Sequence, residues 1–144
     1  KDKLAAEAKA REAEDKRRDR ALLLRYPSPA VHQQERATAL AQIDEVIKAS
    51  SKRTLELAEQ RKAMNSEFEF YVKNPVKAPL SLKRKLEEND ASVGVQKKFV
   101  LEQDQEKKRV NQRFDEELAK LRQLWVLAKP PALISTSDSK AFKN

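Results

Sequence analysis

Few residues in this chain have the type and spacing to do chemistry. His32 is the single histidine, and there is no cysteine to join it. A zinc or catalytic site would need carboxylates converging on it from elsewhere. Its neighbours Gln33, Gln34 and Glu35 belong to a solvated first turn, so His32 is expected at the surface. Glu87/Glu88 and Glu116/Glu117 are acidic pairs of the kind that general acid and base work employs. That work needs a pocket to move their pKa values, and two paired helices enclose none. They read as solubilising groups. With Gly94 the only glycine, no phosphate-cradling loop can form. No catalytic residue, metal ligand or cofactor site is assigned, and the chain reads as a non-enzyme.

Two basic clusters, Lys83-Arg84-Lys85 and Lys107-Lys108-Arg109, could meet phosphate or an anionic surface. The net charge of +8 points the same way. Both clusters have acidic neighbours, however: Glu87 and Glu88 for the first, and Glu102, Asp104 and Glu106 for the second. Residues 30 to 73 carry seven charges of each sign. Such interleaving belongs to a solvated helix face rather than to a stripe that tracks phosphates. Nucleic-acid or anionic-surface binding through Lys83, Arg84, Lys85, Lys107, Lys108 and Arg109 is therefore the alternative to a protein-contact function.

The apolar candidates lie in two places. In FEFYVKNPVKAPLSL, residues 68–82, Phe68 and Tyr71 fall on the helix seam described below, whereas Phe70, Val72, Val76 and Leu80 do not. Those four either pack among themselves within a loop, the favoured expectation, or stand exposed as a contact site. The second group is Leu22, Leu23 and Leu24 with Leu121, Leu124 and Trp125. It is expected to form a small three-helix core or to receive a second copy. Candidate partner-binding residues are thus Phe70, Val72, Val76, Leu80, Leu22, Leu24, Leu121 and Trp125, and the partner is a protein or another copy of the chain.

What would position these groups is an all-α scaffold. Apolar residues make up 39% of the chain and charged ones 38%, too little oil for a compact globule of 144 residues. The vocabulary of Ala, Glu, Lys, Leu and Arg suits extended helices, and no run alternates with the period of a strand. Prolines punctuate the chain at 27/29, 75/79 and 130/131. They delimit a charged N-terminal helix within residues 1–27, an antiparallel coiled-coil hairpin over 28–127 with helices at about 29–73 and 79–126, and a flexible tail over 128–144. In the first helix Glu7/Arg11, Glu12/Lys16 and Glu14/Arg18 stand at the i,i+4 spacing that supports an isolated helix. Ser28 followed by Pro29 reads as an N-cap with proline at the first helical position.

The hairpin follows from two seams with three-four spacing. One runs Leu40, Ile43, Ile47, Ser50, Thr54, Leu57, Arg61, Met64, Phe68, Tyr71. The other runs Leu82, Leu86, Asn89, Val93, Gln96, Val100, Gln103, Lys107, Val110, Phe114, then Leu118, Leu121 and Trp125. Folding about residue 77 pairs positions whose numbers sum to about 154, with Leu57 against Gln96 or Val100, and Leu40 against Phe114. At 1.5 Å per residue such helices would be roughly 65 to 70 Å long. Polar seam residues at mid-length would contribute little burial and instead set register. Asn89, Asp90, Ser92 and Gly94 are weak helix formers and mark 89–94 for a kink.

No apolar run approaches the ~20 residues that cross a bilayer. The chain starts at Lys1 rather than at methionine, so a fragment or processed form is expected, with any export signal upstream. Residues 14–50, 68–93 and 109–125 resemble the C-terminal region of a family of uncharacterised exported proteins from beta-proteobacteria. Asp19–Ser28 matches its DRALL-RYPS motif, and Arg113–Trp125 its ARFDEELARLRxLW-like ending. In that family a signal peptide and a small cysteine-containing domain precede a charged helical region. The resemblance implies a periplasmic or envelope location and a helical hairpin, with no activity to carry over. The expected function is a non-catalytic structural or docking arm.

Overall fold

The computed structural model describes residues 1–128. It is all-α: α1 spans Asp2–Arg25, α2 spans Pro29–Glu69, a 3-10 turn covers Pro75–Lys77, and α3 spans Leu80–Ala128, with no strand among the described residues. The α2 and α3 helices pack against each other as a hairpin. The residues expected as a tail lie outside the described part, apart from Ala128, which closes α3.

Local sequence explains where each helix starts and stops. Ser28 caps α2: its Oγ accepts from the Val31 N–H at 3.4 Å, and Pro29 takes the first helical position. α2 ends at Glu69, four residues before the expected 73. Pro75 disfavours the helical region for the residue before it, and Asn74 stands outside that region at φ −146° and ψ 77°. Ahead of Asn74 the backbone tightens into i,i+3 turns, with the Tyr71 N–H donating to Phe68 O at 2.8 Å and the Asn74 N–H to Tyr71 O at 3.0 Å. Pro79 then supplies the carbonyl that accepts from Leu82 and Lys83 as α3 begins.

The chain divides into two compact units, one made of residues 1–37 with residues from Asn111 onward, the other of Thr38–Val110. In the second unit the buried and half-buried positions of α2 are, apart from Ala39, its seam: Leu40, Ile43, Ile47, Ser50, Thr54, Leu57, Arg61, Met64 and Phe68, with Tyr71 continuing the row into the turn. On α3 the row Leu82, Leu86, Asn89, Val93, Gln96, Val100, Gln103, Lys107 and Val110 is buried likewise. Leu57 and Leu82 are sealed from solvent, and side chains of that size contribute about 1.5–3 kcal/mol each when fully buried.

The register differs from the sequence expectation. Arg61 Nη1 donates to Asp90 Oδ1 at 2.6 Å and to Leu86 O at 3.2 Å. Asn89 Nδ2 donates to Leu57 O at 2.9 Å, Ser50 Oγ to Gln96 Oε1 at 2.7 Å, and Lys107 Nζ to Asp44 Oδ1 at 2.7 Å. Paired numbers sum to between 146 and 151, so Leu57 faces Asn89 rather than Gln96 or Val100. Because α2 stops early, the hairpin turns about Asn74 and Pro75 rather than residue 77.

No kink interrupts 89–94, and α3 is continuous through it. The Asn89 side chain is buried and bonded across the pair, and the single glycine costs only about 1 kcal/mol in helix propensity.

In the first unit α1 buries no residue, and its side chains up to Ala13 are all exposed. Only its C-terminal part is held, through Asp19, whose Oδ1 lies 3.6 Å from Lys120 Nζ, and through half-buried Leu22 and Leu23.

Candidate interaction surface

The core of the first unit places the residues near the α1–α2 junction. Tyr26, His32, Phe114 and Leu121 are each 1% exposed or less, with Leu124 close behind. His32 is therefore not a surface residue. Its ring meets Tyr26 edge-on at 4.7 Å and Phe114 at 5.2 Å between centroids, and its Nε2 lies 3.3 Å from Glu117 Oε1. Pro27, Ser28 and Pro29 force a bend between α1 and α2 that brings Tyr26 over the first turn of α2. A sequence scan sees polar neighbours around His32, whereas the bend puts the Tyr26 ring on it and α3 brings that of Phe114.

Around this core, Trp125 Nε1 donates to Tyr26 O at 2.9 Å. Arg36 Nη2 donates to Asn111 O at 2.9 Å and also pairs with Asp115, while Arg25 pairs with Glu35. The Arg25 bond holds the Glu35 carboxyl below its usual pKa. Burial, reinforced by the negative charge of Glu117, pushes the Tyr26 phenol above its usual value. Of the four partner candidates here, Leu121 has no exposed surface, Leu22 and Trp125 are half-buried, and Leu24 stands 84% exposed. These groups form a core joining the end of α1 to α3, and Leu24 alone faces outward.

The turn end of the second unit is different. Phe70 is 86% exposed, Val72 61%, Val76 85% and Leu80 62%. The loop does not pack these four on themselves. Ala78 and Leu82 take the interior positions instead, and Phe68 and Tyr71 close the seam. On α3 beside the turn, Lys83 is half-buried, and Arg84 and Lys85 are exposed.

The second basic cluster is engaged within the fold. Lys107 is bonded to Asp44, which raises its pKa, and Arg109 binds Glu106 Oε2 at 2.7 and 2.9 Å. Lys108 is exposed. An open apolar groove of about 560 Å³, lined by Thr54, Leu55, Gln96, Lys97, Val100 and Leu101 with Ser51, runs beside the polar Ser50–Gln96 layer. Sequence reasoning missed it. Leu55 and Leu101 fall outside the seam, and their register neighbours decide that they flank one groove. Among the described residues no group of three or more His, Asp or Glu side chains is placed to hold a metal, and no helix is long and apolar enough to cross a membrane. Comparison with known proteins finds no family model, no curated protein and no solved structure that matches this chain.

Proposed function

We propose that the chain is a non-catalytic structural arm of the bacterial envelope, a helical coiled-coil spacer that makes its contacts through the turn end of the hairpin. The observation that carries this is the exposure of Phe70, Val72, Val76 and Leu80 next to a well-closed seam. A fold that needs these residues for itself would bury them, since each contributes about 1.5–3 kcal/mol only when removed from water. Apolar groups kept in water at one end of a folded element are the usual mark of a contact surface. The likeness of Asp19–Ser28 and Arg113–Trp125 to an exported family supports the envelope location.

Binding of nucleic acid draws less support, because Lys107 and Arg109 are already occupied by carboxylates. The contact-arm reading is tested with the pair Phe70→Ser and Val76→Ser. Helicity by circular dichroism and the urea midpoint should stay as in the parent chain, with any change within about 0.5 kcal/mol. A clear loss of stability would mean that these residues serve the fold, and the arm reading would fail.

A further inference from the structure

We infer that the turn end of the hairpin is a docking site for an anionic phospholipid bilayer, with the apolar side chains seated among the acyl chains and the surrounding lysines on headgroup phosphates. This rests on the arm reading above and names what the arm touches.

Charge at the turn is one-sided. From Phe70 to Leu86 the chain holds five cations and no carboxylate, the longest run without a carboxylate in the second unit. Val72 is followed by Lys73 and Val76 by Lys77, all four exposed. Elsewhere in the second unit Arg53, Arg61, Lys62, Lys107 and Arg109 each have a carboxylate partner, while Lys48, Lys52, Lys97, Lys98 and Lys108 stand exposed on mixed-sign or apolar stretches away from the turn. None of the five cations at the turn is within salt-bridge distance of a carboxylate among the described residues. Lysine stems can lie along apolar surface while the ammonium stays at the phosphate level, so neighbouring valine and lysine satisfy a bilayer interface together. A protein partner fits less well, since the centre of a protein interface is depleted of lysine.

Backbone chemistry favours the same occupant. Lipid offers few partners to an unbonded N–H. In this turn the N–H groups of Phe70, Tyr71, Val72, Asn74, Lys77 and Ala78 are already bonded to carbonyls three residues back. Pro75 and Pro79 have no N–H to satisfy. The turn can therefore sit at the hydrated headgroup level, where water meets the remaining N–H groups of Lys73, Val76 and the start of α3.

Co-sedimentation with vesicles of phosphatidylcholine alone, and of phosphatidylcholine mixed with phosphatidylglycerol, tests the proposal on the full chain. Circular dichroism of each variant reports folding separately. Binding is expected only with phosphatidylglycerol present, and should weaken as salt is added. Lys73→Gln and Lys77→Gln should each lower affinity about fivefold. The Phe70→Ser/Val76→Ser pair should lower it about tenfold or more. Three results would overturn the inference: no preference for anionic vesicles; vesicle binding that survives the serine pair; or a dimer by sedimentation that the serine pair dissolves, with no vesicle binding. Affinity for duplex DNA matching that for vesicles and unaffected by the serine pair would also overturn it, by assigning the lysines to phosphate alone. Failure on any of these counts with a folded serine pair leaves the arm reading standing, whereas an unfolded serine pair removes both.

Discussion

His32 Nε2 lies 3.3 Å from Glu117 Oε1, a contact between residues 85 apart in sequence, with the Tyr26 and Phe114 rings against the imidazole. It joins the start of α2 to the second half of α3 at a position where the sequence suggests nothing more than a solvated first turn.

His32→Ala should therefore destabilise the protein by about 2–4 kcal/mol, the range for emptying a buried, well-packed site. Urea unfolding followed by Trp125 fluorescence measures it. A surface histidine would give a change within about 0.5 kcal/mol, so a small effect would contradict the burial described here.

Tyr26 gives a pH dependence of definite sign. Its phenol is raised above the usual value by burial first and by Glu117 next. Stability from the neutral phenol is fully present below the unfolded value of about 10 and is lost as pH rises through the folded one. Unfolding midpoints should fall in strongly alkaline solution. In Tyr26→Phe this part of the alkaline loss should disappear, which ultraviolet titration of the phenolates combined with circular dichroism will show.

At Gly94 a Cβ would meet no atom within 4 Å, and the glycine has no positive φ. Gly94→Ala is expected to stabilise by about 0.5–1 kcal/mol, from helix propensity and a less flexible unfolded chain. Were α3 broken at 89–94, alanine would give no such gain, and an unchanged midpoint in thermal or urea unfolding would count against a continuous helix.

Particular residues show how much was legible in advance. The seam from Leu40 to Tyr71 and its counterpart from Leu82 to Val110 can be read from three-four spacing, because burial on a paired helix follows period alone. Register could not be read that way. It depends on how many residues the turn consumes, and the i,i+3 turns between Phe70 and Asn74 take up residues that the apolar pattern assigns to α2. Asn89 illustrates the cost: as a weak helix former it marks a kink, yet in the true register its amide reaches Leu57 O and becomes a buried cross-link. His32 was illegible for a related reason, since the bend at Pro27 and Pro29 decides what stands over it. The exposed set at the turn was legible as residues but not as a surface, because nothing local says whether Phe70 folds inward or out.

Antiparallel pairing in the register that sets Leu57 beside Asn89 is the central claim, and the absence of native cysteine allows a direct test. Cysteines placed at exposed Gln60 and Lys85, which line one groove between the helices, should be joined rapidly by a short bifunctional reagent, and a pair at Gln60 and exposed Val95, nearly three turns further along α3, should react slowly or not at all. Faster coupling of the second pair, or equal coupling of both, would contradict the hairpin described here.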